Sequence, residues 1–146
     1  MPVIEVSKFI KQDRRNIFEL FKNMQEFPNF MREVKNIKVT KTKENNKLIT
    51  EWNIEIDGAP MRWKEQDIFD DEQMTLKFIS IKGDFKEYSG EWKLEQFSKG
   101  TLLKLLVKID WGMPAFEKFV GPTLEKIARR LLKSMLNAIK KRMENG

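Results

Sequence analysis

Residues 2–10, PVIEVSKFI, alternate apolar and polar side chains, the period of a strand with one buried face. The period then lengthens. Ile17, Phe18, Leu20, Phe21 and Met24 recur at helical spacing behind Asp13, a residue type that caps helix N-termini. Pro28 interrupts this spacing, which predicts a second short helical turn around Phe27–Met31 and not one longer helix. From Val34 the period returns to two, and strands are predicted over 34–43, 47–57, 61–70, 73–82, 84–97 and 101–111. Turn-forming residues separate them: Asn45-Asn46, Asp57-Gly58, Asp70-Asp71, Gly83-Asp84 and Ser98-Lys99-Gly100. Connections this short make neighbouring strands antiparallel.

The last third is helical. Pro114 opens it, Gly121-Pro122 is expected to break it, and a long helix is predicted from Pro122 to about Met143. Leu124, Ile127, Ala128, Leu131, Met135, Ala138 and Ile139 fall on one face of that helix, with cationic residues opposite. Some twenty helical residues span roughly 30 Å, enough to cross a curved sheet. The order strand, two short helices, six strands, long helix predicts an α+β fold in a single domain, 1–146. A strongly bent seven-stranded antiparallel sheet would wrap the C-terminal helix, and only its concave face would need to be apolar.

One stretch departs from ordinary strand composition. Gly83–Glu95, GDFKEYSGEWKLE, places two glycines and three large rings (Phe85, Tyr88, Trp92) in a predicted strand. Glycine weakens a strand unless the strand must bulge, bend or admit another backbone, so a kink at Gly83 and Gly90 is expected. Tyr88, Trp92 and Leu94 share the inward phase beyond it.

Composition narrows the chemistry. The 146-residue chain has no cysteine and no histidine, which removes thiolate chemistry, the usual general base and the commonest metal ligand. Any acid–base step falls to Asp, Glu, Lys, Tyr or water, and neither a metal nor a cofactor is expected. The net charge of +6 is spread along the chain, with one concentration at Arg129, Arg130, Lys133, Lys140, Lys141 and Arg142. It reads as a solvated helix face, and no DNA partner is expected. The opening MPVIEVSKFI is too short and too charged for a signal peptide, and no apolar run reaches spanning length. A cytoplasmic protein without stable membrane insertion is expected.

The element order, the segment from Trp52 through Pro60 to Trp63, the pattern G-D-F-x(4)-G-x-W-x-L at Gly83–Leu94, and GTLLKL at Gly100–Leu105 resemble the START-like, helix-grip superfamily. Within it the chain looks most like the polyketide cyclase/dehydrase and lipid-transport group, which includes aromatase/cyclases and coenzyme Q-binding proteins. The resemblance covers essentially the whole chain. It implies a deep cavity between sheet and helix that holds a hydrophobic ligand such as a lipid, a quinone or a polyketide-like aromatic. Whether that ligand reacts is a separate matter.

Candidate site residues follow from strand phase within that frame. Trp52 and Ile54 on one strand, Trp63 on the next, and Tyr88 and Trp92 beyond the bend would face the ligand. Leu105 and Val107 would do so from the last strand, and Ile127, Leu131 and Met135 from the long helix. Phe116 and Phe119 precede the expected helix break and border the mouth, where Trp111-Gly112-Met113-Pro114 could act as a gate. Phe27 and Phe30, with Met24 and Met31, would close the other end. Glu65 and Asp67 lie in the apolar phase of their strand, and a buried carboxylate is costly unless it is paired or neutral. Glu65, Asp67 and Tyr88 are therefore the catalytic candidates if this is a cyclase or dehydratase. In the alternative, the strand opens to solvent there and both carboxylates face water. Arg62 takes the exposed phase, and no arginine matches the pocket arginines of aromatase/cyclases. Three functions remain open: a non-enzymatic carrier or sensor of a hydrophobic molecule, a polyketide aromatase/cyclase or dehydratase, and a protein-binding module. The resemblance to coenzyme Q-binding proteins, some of them ribosome-associated, implies that the basic last helix could contact a protein or ribosome.

Overall fold

Seven antiparallel strands form one sheet in the order β1-β7-β6-β5-β4-β3-β2. They are β1 (Val3–Ile10), β2 (Val34–Lys41), β3 (Lys47–Ile56), β4 (Ala59–Asp70), β5 (Thr75–Gly83), β6 (Glu87–Phe97) and β7 (Gly100–Asp110). This computed structural model describes residues 3–112 and 114–145, with backbone alone for 114–122. β1 and β2 are the two edges, so the chain between them must cross one end of the sheet. It does so as α1 (Arg14–Phe21) and a 3-10 helix, Met24–Asn29. Asp13 caps α1 by accepting from the backbone N–H of Arg15 at 2.8 Å. Ile17, Phe18, Leu20 and Phe21 turn inward.

The expected helix-grip architecture is present, with local corrections. The predicted strand over 84–97 begins at Glu87, because residues 84–86 are drawn off as a connection. The Asp84 carboxylate accepts from the N–H of Arg62, and the N–H of Lys86 donates to the Asp110 carbonyl. Gly90 makes no bulge: β6 pairs in regular register with both neighbours. It is there for close approach, since a Cβ would sit 2.1 Å from the Leu106 carbonyl oxygen. Gly83, at φ +141°, pairs with Trp63 next to a register shift at Lys64/Glu65, and its Cβ would meet Trp63 Cα at 2.5 Å. The bend therefore belongs to β5, where Ile81 is the extra residue of the bulge.

The last helix, α2 (Pro114–Asn145), is one element of 32 residues, so the break expected at Gly121-Pro122 is absent. A proline inside a helix forfeits one backbone hydrogen bond and costs roughly 3 kcal/mol. Burial of the later turns offsets that: Ala128, Leu132, Met135, Leu136 and Ile139 are all in the core. The buried stripe thus includes Leu132 and Leu136, which the predicted face left out. Leu124, Ile127 and Leu131 are only half-buried. Arg129 and Lys140 tie α2 to the edge strand by donating to the carbonyls of Glu5 and Phe9.

Candidate functional site

The concave space under α2 is divided into a filled half and an open half. Near α1, rings and aliphatics are packed solid: Phe21 lies 4.8 Å from Trp92 between centroids, and Phe27 lies 6.0 Å from both Phe21 and Trp52. At the other end a cavity of about 280 Å³ remains. Local sequence builds its walls. Asp57 and Gly58, both at positive φ (50° and 84°), make the tight β3–β4 turn that sets Ile56 opposite Ala59 and Ile54 opposite Met61. Trp63 continues that wall, Phe85, Tyr88, Ile109 and Trp111 form the next, and Leu124, Ile127 and Leu131 of α2 cover the top. The half-burial of those three helix residues has its reason here, because their remaining surface borders the cavity.

Of the residues singled out by phase, Ile54, Trp63, Tyr88, Ile127 and Leu131 come together on the cavity wall. Trp52, Trp92, Leu105, Val107, Met135 and Phe27 do not line it; they are buried in the filled half. Trp52 stacks flat against the back of Trp63, centroids 5.4 Å apart and planes 9° from parallel. Phe30 is half-buried outside, beneath the guanidinium of Arg142. Phe116 and Phe119, and the Met113-Pro114 part of the gate, lie outside the described side chains. Trp111, the first residue of that gate, is on the wall. The candidate set left out Ile56 and Met61, which share the inward phase of Ile54 and Trp63, and Ala59, for which the signal was the Asp57-Gly58 turn that fixes what stands opposite what.

Glu65 and Asp67 are both inside, 3% and 0% exposed, so the solvent-facing alternative does not hold. Neither is on the cavity wall. They belong to a buried network behind it. Trp63 Nε1 donates to Glu65 Oε1 at 2.7 Å, Thr50 Oγ1 donates to Asp67 Oδ2 at 2.5 Å, and Trp52 Nε1 donates to Thr50 Oγ1 at 2.9 Å. Asp67 Oδ1 is buried with no donor so long as both carboxyls are ionised. Burial, then the adjacent Asp67 charge and a hydrogen bond to it, hold the Glu65 pKa well above the usual carboxylate range, against the pull of Trp63. Burial also raises Asp67, opposed by hydrogen bonds from Glu65 and Thr50. Both shifts favour a neutral carboxyl in this buried site, where a protonated Glu65 would offer a donor to the unpaired Asp67 oxygen.

Tyr88 connects this network to the cavity. Its ring packs on Trp63 (5.2 Å), Phe78 (5.3 Å) and Phe85 (5.0 Å, near-parallel). Its hydroxyl makes no hydrogen bond among the described residues, and the side chain lies on the cavity wall. Burial, followed by the nearby charges of Glu65 and Asp67, raises its pKa well above the ordinary value, so the phenol stays neutral.

The cationic residues of α2 are largely engaged within the chain. Arg130 pairs with Asp57 at the cavity rim, Arg129 with Glu125, Lys140 with Glu144 and Arg142 with Glu26. Among the described residues no helix is long and apolar enough to cross a membrane.

Comparison with known proteins agrees with this architecture. A Thermus thermophilus protein, TTHA0849, superposes with a TM-score of 0.91 at 23% identity, over 99% of this chain and 98% of its own. The Zhui aromatase/cyclase of a Streptomyces species gives 0.84 at 11% identity, over 99% and 94%. The ginseng major latex-like protein 151 from Panax ginseng gives 0.79 at 18%, over 97% of each chain. At these identities the likeness is one of fold. No curated protein matches the sequence. The family model "Polyketide cyclase / dehydrase and lipid transport" matches residues 10–140, nearly the whole length. The chain belongs to the polyketide cyclase/dehydrase and lipid-transport family.

Proposed function

We propose that the protein binds a hydrophobic small molecule in the cavity between β3–β4, β6–β7 and α2, as a carrier or sensor. The observation that carries this reading is the unfilled apolar space itself. Protein interiors are close-packed, and the other half of this same concave face is packed with rings. An apolar cavity of about 150 Å³ takes up benzene. The volume of about 280 Å³ here matches about two fused rings or a short acyl chain. Titrating the protein with 2-methylnaphthalene, followed by tryptophan fluorescence, tests it. Saturable one-to-one binding that is lost in Leu131→Trp, which fills the cavity from α2, is the expected result. Binding that is absent, or indifferent to that filling, overturns it.

Catalysis is the second reading, and the burial of two neighbouring carboxyls, Glu65 and Asp67, is the observation that favours it. Trp63 screens Glu65 from the cavity, so on this reading the indole must move aside before the carboxyl reaches a ligand. Aromatase/cyclases among the structural neighbours make cyclisation or dehydration of a polyketide-like compound the reaction class to assay.

A further inference from the structure

We infer that the Tyr88 hydroxyl is the cavity's polar anchor and that the ligand is an uncharged apolar ring compound bearing a neutral hydrogen-bond donor, such as a hydroxyl, while its carboxylate counterpart is excluded. This rests on the proposed binding role and narrows the class of ligand.

Three observations carry it. First, the polar atoms on the wall are few. The Trp63 N–H is committed to Glu65, and the Asp57 carboxylate at the rim is held by Arg130. The Tyr88 hydroxyl is left without a protein partner among the described residues. An unpaired hydroxyl in an apolar site favours whichever ligand can pair with it.

Second, the cavity lies in a negative field. Glu65 and Asp67 are buried directly behind Trp63, with no cation paired to either among the described residues, and negative charge on them is close enough to act on Tyr88. Among the described residues no lysine or arginine lines the cavity. An anionic ligand would lose its hydration and meet like charge with no cation to receive it.

Third, that charge sets the direction of the anchor. Negative charge behind the phenol favours an O–H dipole turned towards the carboxyl pair, which leaves the oxygen lone pairs for a ligand. Tyr88 then accepts, and the ligand donates. A ligand hydroxyl meets this requirement without bringing charge; an ionised carboxylate has no proton to donate.

The test uses three ligands of one skeleton at neutral pH: 2-naphthol, 2-methylnaphthalene, which is nearly its isostere, and 2-naphthoate. Affinities are measured by calorimetry for the wild type and Tyr88→Phe, with the thermal midpoint of each confirming that both are folded. The expected result is a loss of about 3–10-fold for 2-naphthol in Tyr88→Phe, the worth of one neutral hydrogen bond, with 2-methylnaphthalene unchanged or slightly tighter. In the wild type, 2-naphthoate binds at least about tenfold more weakly than 2-naphthol. Equal losses for 2-naphthol and 2-methylnaphthalene, no loss for either, or naphthoate binding as tightly as naphthol, each overturn the inference while leaving the binding role intact. If 2-methylnaphthalene itself fails to bind the wild type, the binding role falls and the inference with it.

Discussion

Trp63 donates its indole N–H to Glu65 at 2.7 Å while its ring forms part of the cavity wall. One side chain thus separates a buried acid from the space where a ligand would lie. The separation gives Glu65 two testable properties, one in stability and one in chemistry.

Replacing Glu65 by Gln should stabilise the fold at neutral pH by about 1–3 kcal/mol, the usual cost of a badly satisfied buried polar group. The amide oxygen still accepts from Trp63, and the amide N–H₂ supplies Asp67 Oδ1 with a permanent donor. The sign follows from the raised pKa of Glu65. A carboxyl whose folded pKa lies above its unfolded value gives its full stability below the unfolded value and loses it as pH rises through the folded one. The advantage of Glu65→Gln should therefore vanish below the ordinary glutamate value of 4.5 and open as pH rises above it. Denaturant midpoints of both proteins across that range measure it; an advantage that grows on acidification contradicts a raised Glu65 pKa.

The same substitution separates binding from catalysis. A general acid–base group is worth on the order of 10²–10⁴-fold in rate. If the protein is a carrier, Glu65→Gln keeps its ligand affinity and no turnover exists to lose. Assays of wild type and variant with a polyketide-like substrate should show binding without turnover. Turnover by the wild type that collapses in the variant would establish the enzymatic reading instead.

Thr50 is wholly buried and serves two partners, donating to Asp67 and accepting from Trp52. Thr50→Val preserves the shape and leaves both without that bond. A loss of about 2–4 kcal/mol is expected, from two groups at roughly 1–3 kcal/mol each, partly relieved by rearrangement. Chemical denaturation reads it directly. A near-neutral outcome would mean that Asp67 finds another donor.

Two glycines should behave oppositely to what their places in the chain suggest. Gly90→Ala, in the middle of β6, drives a Cβ to 2.1 Å from the Leu106 carbonyl oxygen and should cost about 3 kcal/mol or more. Gly58→Ala, at φ +84° in the β3–β4 turn, meets nothing within 4 Å and should cost only about 1–2 kcal/mol of backbone strain. Thermal midpoints of the two variants should rank in that order.

The fold was legible because it is written in period and punctuation. The alternation from Val34 to Trp111, broken by Asp57-Gly58 and its like, determines a meander whose concave face is apolar. The position of the cavity was not legible. Trp52, Trp63 and Trp92 all carry the inward phase, yet only Trp63 borders space. Phase says which way a ring points; whether it meets another ring or a void depends on how α1 and the 3-10 helix fill one end. Phe21 and Phe27 fill it by reaching Trp92 and Trp52, contacts across 71 and 25 positions that no local pattern reveals. The carboxylates show the same limit. Phase put Glu65 and Asp67 inside, but the bond from Thr50 crosses between strands, and the one from Trp63, two residues away, depends on a side-chain rotamer that alternation does not specify. The predicted helix break failed for a related reason, since local proline chemistry was outweighed by the burial of Leu132, Leu136 and Ile139 further along.

The most direct test is to locate a heavy-atom ligand. Crystals grown with 2-bromonaphthalene and measured at the bromine absorption edge should show one anomalous peak inside the protein, among Trp63, Tyr88, Ile127 and Leu131. The peak should be absent in Leu131→Trp. A bromine site in the filled half beside Trp92 and Phe21, or no internal site at a ligand concentration that saturates the fluorescence change, would contradict the account.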